Sequence, residues 1–154
     1  MHNSQNLIGF IKGYKGVYKH DYIRLHIGKT YSFRNKGGCV LGCSRTDFDC
    51  DVIAESLINL NISKLYIAGG NGSLSGAHLL ATALKGHTQV VGLPKTIDND
   101  IPNIDFSFGF HSALTKTLEA ITCISTECIS YDAIGIVQVM GRNNGSIAEY
   151  SSIC

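Results

Sequence analysis

From residue 47 onward, apolar residues recur first at helical spacing and then in short continuous runs, and the two patterns alternate. Val52, Ile53, Leu57 and Leu60 share one face of a predicted helix, with Asp47 or Asp49 placed to cap its start. Lys64-Leu65-Tyr66-Ile67-Ala68 reads as a short strand, followed by a glycine turn and a helix carrying Leu74, Ala77, Leu80, Ala81 and Leu84. A second strand, Gln89-Val90-Val91-Gly92-Leu93, should stop at Pro94, which has no N–H to give a ladder. A long helix from about Gly109 turns Ala113, Leu114, Leu118, Ile121 and Ile124 inward. Ala133-Ile134-Gly135-Ile136-Val137-Gln138-Val139 reads as a third strand, ending in Met140-Gly141-Arg142.

Helices alternating with continuously apolar strands predict an α/β fold, a Rossmann-like parallel sheet with helices on both faces. Ahead of residue 47 the pattern is looser. A short helix is expected from about Asn6 to Val17, ending near Gly13 or Gly16. Tyr22-Ile23-Arg24-Leu25 makes a short strand or a packed loop, and Gly37-Gly38-Cys39-Val40-Leu41-Gly42 is too rich in glycine for regular structure. No repeat, low-complexity run or linker interrupts the chain, so residues 1–154 read as a single domain.

Composition narrows the function classes. A net charge of +1 gives no electrostatic case for nucleic acid or a membrane surface. No apolar stretch approaches the roughly 20 residues that span a bilayer, and no signal peptide is evident, so a cytoplasmic location is expected. The six cysteines form no C-x-x-C pair and have no His at zinc spacing; they are expected to be free thiols packed as small apolar residues. His78, His87 and His111 share no partner that would make them catalytic.

The chemistry concentrates at strand ends, where open α/β sheets bind ligands. Gly69-Gly70-Asn71-Gly72-Ser73 is a turn that lets phosphate approach bare backbone N–H groups at a helix start. Pro94-Lys95-Thr96-Ile97-Asp98-Asn99-Asp100 adds a cation, a hydroxyl and two carboxylates, the components of phosphoryl transfer. Asp98 is the candidate base for an attacking hydroxyl, Thr96 a donor to the transferred group and Lys95 a neutralising charge. Asp100 positions the sugar or a water-bound metal, or holds the loop. Arg142 is placed to grip a phosphate, and Arg45 to contact a nucleotide. Asn71 offers Mg²⁺ only a neutral oxygen, a weaker ligand than a carboxylate.

Together these residues resemble the 6-phosphofructokinase family. Gly37 to Arg45 is similar to its Gly-Gly-x-x-Leu-Gly-x-Ser-Arg segment, and Gly69 to Ser73 to Gly-Gly-Asp-Gly-Ser/Thr. Pro94 to Asp100 matches Pro-Lys-Thr-Ile-Asp-Asn-Asp, Phe108-Gly109-Phe110 with Ala113 matches a Phe-Gly-Phe-x-x-Ala helix start, and Met140-Gly141-Arg142 with Gly145 matches Met-Gly-Arg-x-x-Gly. The resemblance implies the partial first domain of a two-domain enzyme that moves the γ-phosphoryl group of ATP to the 1-hydroxyl of fructose 6-phosphate, in glycolysis. It implies catalytic roles for Asp98, Thr96 and Arg142, and sugar contacts from Thr96, Ile97, Asp98, Asp100, Met140, Gly141 and Arg142. Arg45, Thr46, Gly70, Asn71, Gly72 and Ser73 would line the nucleotide site, with Mg²⁺ weakened at Asn71. Gly72 and Lys95 mark the ATP-using rather than the pyrophosphate-using branch, because glycine leaves room for an α-phosphate.

Against the family pattern, the chain starts after an opening glycine-rich loop, lacks a second domain and carries Asn71 for Asp. Little stand-alone activity is therefore expected, with assembly as a homo-oligomer or with full-length subunits. The alternatives are a non-catalytic regulatory paralogue that binds nucleotide or sugar phosphate, a pyrophosphate-dependent enzyme, and a relative of the NAD or lipid kinases.

Overall fold

The computed structural model describes residues 6–34, 36–45 and 47–154. Its elements run β1 (Ile8–Phe10), α1 (Tyr14–Tyr18), β2 (Tyr22–Arg24), α2 (Ile27–Tyr31), α3 (Cys50–Asn59), β3 (Lys64–Gly69), α4 (Asn71–Ala83), β4 (Gln89–Thr96), β5 (Phe108–Gly109), α5 (Phe110–Tyr131) and α6 (Ser146–Ile153). The expected α/β class is found. β3, β4 and β5 form one sheet in that order, with β4 and β5 parallel through Lys95↔Phe108 and Thr96↔Gly109. The chain forms two compact units, one made of residues up to 65 with 76–91, the other of 66–75 with 92–154.

In the first unit, β1 and β2 pair antiparallel, Gly9 opposite Ile23, with the Phe10 and Tyr22 rings edge to face. The helix expected from about Asn6 to Val17 is instead this strand followed by α1. Lys12 and Gly13 explain the break: both have φ near +60°, a left-handed pair that no α-helix passes through. Asp49 caps α3, its carboxylate accepting from the N–H groups of Asp51 and Val52. The inward face of α3 is Ile53, Ala54, Ser56 and Leu57; Val52, expected there, is exposed. From α4 and the turn after it, Ala77, Leu80 and Leu84 are buried, whereas Ala81 faces solvent. Gly76 lets α4 pack closely here, since a Cβ would lie 2.9 Å from both Phe48 and the Tyr14 hydroxyl.

In the second unit, β4 does not stop at Pro94 but runs on to Thr96. Its ladder with β5 begins at Lys95, so the proline's missing N–H costs that pairing nothing. Gly109, at φ +101°, turns the chain from β5 into α5. Ala113, Leu114, Leu118 and Ile121 are half-buried along α5 and Ile124 is more exposed; Phe110, at its start, is fully buried. α6 packs on α5, with Tyr150 edge to face on Phe110.

The third expected strand, residues 133–139, is not in a sheet: among the described residues no strand pairs with it. It keeps a period of two nonetheless. A Cβ on Gly135 would run into Ile124 and Cys128 of α5, and Val137 and Val139 are half-buried, whereas Ile134 and Ile136 are 93% and 89% exposed. An apolar run becomes a sheet strand only when a neighbour takes up its peptide groups. No disulfide joins the described cysteines, and none of the six is buried: Cys50 and Cys128 are half-buried and the other four exposed.

Candidate functional site

The second unit contains an open cleft of about 780 Å³ lined by Gly70, Asn71, Gly72, Thr96, Asp98, Asp100 and residues 138–142. Three segments meet there: the glycine turn, the acidic loop after β4, and the Met140-Gly141-Arg142 turn.

The glycine turn leads from β3 into α4, whose first hydrogen bond runs from the Leu74 N–H to the Gly70 carbonyl. The amides of a helix's first turn have no acceptor within the helix, so those at Asn71 and Gly72 are presented at the cleft edge. A Cβ at Gly69 would collide with the Ser73 side chain, and one at Gly70 would lie 3.8 Å from Thr96. At Gly72 it would meet nothing within 4 Å, so the space above that residue is open.

The acidic loop is tied by its own polar side chains. The Asp98 N–H donates to Thr96 Oγ1 at 3.1 Å, a local turn in which the threonine oxygen accepts and its own proton stays available. Ser107, only 5% exposed, donates from Oγ to the Thr96 carbonyl at 2.6 Å. Asn99, at φ +52°, accepts the Ser107 N–H at 2.9 Å and donates to the Asp105 carbonyl at 3.1 Å. The loop from 96 to 107 is thereby closed on itself, and Asp98 is held half-buried at its bend. Asn144 donates to the Asn99 carbonyl at 3.3 Å, which fastens the third segment to the loop. Gly141 fits that segment because a Cβ there would strike the Asn144 carbonyl.

Two exposed side chains of the cleft lining also meet. Asn71 Nδ2 donates to Asp100 Oδ2 at 2.8 Å. Its neutral N–H faces the carboxylate where a cation ligand would present oxygen.

Of the residues singled out in the sequence, Gly70, Asn71, Gly72, Thr96, Asp98, Asp100, Met140, Gly141 and Arg142 line the cleft. Ile97, Ser73 and Lys95 do not. Ile97 lies beside Gly109, and Lys95 precedes Thr96 on β4, where successive side chains point to opposite faces. Arg45 is an exposed loop residue of the first unit, and Thr46 lies outside the described residues. Asn99, Ser107 and Asn144 were not foreseen as residues that position the site, nor Gln138 and Val139 as lining. Asn99 lies within the acidic motif, Asn144 within the Met-Gly-Arg-x-x-Gly run, and Gln138 and Val139 at the end of the strand expected before it; Ser107 carries no signal apart from its hydroxyl. Among the described residues no three His, Cys, Asp or Glu side chains are grouped to hold a metal, and no helix is long and apolar enough to cross a membrane.

A family model described as Phosphofructokinase matches residues 1–154. ATP-dependent 6-phosphofructokinase 1 of Arabidopsis thaliana is 36% identical over 99% of this chain and 33% of its own length. The ATP-dependent 6-phosphofructokinase of Entamoeba histolytica is 39% identical over 96% of this chain and 35% of its own. The chain thus spans about a third of the length of these relatives. Among solved structures, phosphofructokinase from Saccharomyces cerevisiae superposes with a TM-score of 0.83 at 25% identity, covering 96% of this chain and 23% of that one. A pyrophosphate-dependent phosphofructokinase from Marinobacter aquaeolei gives 0.77 at 24% identity over 96% of this chain and 40% of that one, a likeness of fold.

Proposed function

The chain belongs to the phosphofructokinase family, and on that premise we propose that its cleft serves transfer of the γ-phosphoryl group of ATP to the 1-hydroxyl of fructose 6-phosphate. One observation carries the reading: the glycine turn, the Thr96–Asp98–Asp100 loop and the Met140-Gly141-Arg142 turn line a single cleft. The helix-start amides at Asn71 and Gly72 receive donor phosphates, which are stabilised by unpaired N–H groups and the helix dipole. Asp98 takes the proton of the attacking hydroxyl as the new O–P bond forms and the bond to the departing diphosphate breaks. Thr96, whose oxygen already accepts from the Asp98 N–H, donates a hydrogen bond from its own hydroxyl to an oxygen of the moving group. Arg142 pairs with the phosphate already on the sugar. Arg45, Thr46 and Ser73 are assigned to the nucleotide, and Ile97 to the sugar, by the family likeness alone. In this reading the protein works in the cytoplasm, as a homo-oligomer or with longer subunits.

ATP is favoured over pyrophosphate by the ATP-dependent names of the relatives and by the open space over Gly72, where a side chain would crowd an α-phosphate. Lys95, the second residue read as a donor marker, lies outside the cleft lining and adds nothing by contact. Mg²⁺ is implied by the family likeness, yet the donor N–H of Asn71 does not fit a cation held between residues 71 and 100.

Calorimetric titration tests the proposal. Saturable binding of ATP and of fructose 6-phosphate is expected. Arg142→Ala should weaken the sugar phosphate about 10- to 100-fold, the loss of a charge-assisted hydrogen bond, and leave ATP within about twofold. Asp98→Asn should lower any transfer about 10²- to 10⁴-fold with binding intact. Failure of both ligands to bind overturns the reading. Binding without transfer by the unaltered chain assigns the second reading, a non-catalytic ligand-binding subunit, which the neutral Asn71 favours.

A further inference from the structure

Asn71 and Asp100 come from different segments, the start of α4 and the end of the acidic loop, and meet through one 2.8 Å hydrogen bond. The orientation of that amide follows from its partner. Turned over, it would set Oδ1 against a carboxylate oxygen, an arrangement that needs a proton or a cation between the two. As it stands, the N–H group satisfies the carboxylate without either. A divalent cation such as Mg²⁺ or Mn²⁺ takes oxygen ligands and is repelled by an N–H donor. Asp100 can therefore offer Oδ2 to a cation on the Asn71 side only when Asn71 releases it.

We propose that Asn71 is a latch on Asp100, competing with divalent cations for that carboxylate, so that the cleft has little cation dependence of its own. The latch rests on the hydrogen bond; only its consequence for ATP rests on the functional reading above. It predicts a sign opposite to that of a metal ligand. Removing a ligand weakens cation binding, whereas removing a latch frees the carboxylate and strengthens it.

Titration of Mn²⁺ alone, followed by the electron-spin resonance of the free ion, separates the two. Asn71→Ala should bind Mn²⁺ about threefold or more tighter than the unaltered chain, and Asn71→Asp at least about tenfold tighter, since it adds a second charged oxygen ligand. Asp100→Asn placed on Asn71→Ala should erase the gain. Equal or weaker binding by Asn71→Ala overturns the latch, as does a gain that survives Asp100→Asn or a failure of Asn71→Asp to bind Mn²⁺. In a second measurement, ATP affinity in EDTA and in Mg²⁺ should differ by less than about threefold for the unaltered chain and by more than about tenfold for Asn71→Asp, where the added charge repels free nucleotide. A larger cation effect in the unaltered chain also overturns the latch. Loss of ATP binding in every variant counts against the nucleotide reading and leaves the Mn²⁺ result to decide the latch.

Discussion

The two compact units differ in the balance between apolar packing and buried hydroxyl groups. The first buries Val17, Ile53, Ala54, Leu57, Leu65, Ala77, Leu80 and Leu84, with two hydroxyl residues among them, Ser56 and Thr88, the latter donating to the Ile62 carbonyl at 2.6 Å. In the second, the buried apolar side chains are Phe110 and Ile147, joined by the hydroxyl residues Ser107, Thr117 and Ser151. Those hydroxyls all donate to backbone carbonyls: Ser107 to Thr96, Thr117 to Ala113 and Ser151 to Ala148. Packing is nondirectional, whereas a hydrogen bond fixes an angle. The unit that lines an open cleft with an acid, a hydroxyl and an arginine is the one in which buried apolar side chains are fewer than buried hydroxyl ones.

Substitutions in each unit should separate packing from hydrogen bonding, the largest effect first. Leu57→Ala leaves a cavity in the first unit and should lower unfolding free energy by about 2–5 kcal/mol, read from urea denaturation, without a specific effect on ligand affinity. Ser107→Ala should cost less, about 1–3 kcal/mol, because it deprives the Thr96 carbonyl of its donor. Its signature is local: faster amide exchange confined to residues 96–107. An equal rise in exchange across the first unit would break the distinction.

The smallest effect is one of pH. Burial, with the charges of Asp51 and Asp49 beside it, raises the Cys50 thiol above its ordinary 9.0. Burial, with the Cys50 thiolate, raises the Tyr14 phenol above 10.0. The folded chain holds both protons more tightly than the unfolded chain. Their contribution is therefore full below the ordinary values and declines as pH rises through the higher folded ones. Melting temperature should fall more steeply above pH 9 than in Cys50→Ala, where the thiol and its effect on Tyr14 are both removed. Parallel curves would refute this.

The amino-acid pattern made β3, α3, α4 and α5 legible because each carries its own signal: a capping Asp49, a glycine turn, a long apolar stripe. It misled where the outcome depended on neighbours. Residues 133–139 have a strand's composition but no strand beside them among the described residues, and Pro94 fits in β4 on the β5 side because that pairing starts one residue later. At the amino-terminal end, the left-handed Lys12 and Gly13 replaced a helix with a strand and a shorter helix. The cleft was legible in its residue types, since Gly-rich, acidic and arginine-bearing motifs at strand ends name their own chemistry. The contact between Asn71 and Asp100 was not, as 29 positions separate them and only the fold brings them together.

Arg142 sits just beyond residues 133–139, a stretch that approaches α5 at Gly135, half-buries Val137 and Val139 and exposes Ile134 and Ile136. On the proposed reading, an anion held at Arg142 would anchor one end of a stretch that no strand among the described residues supports.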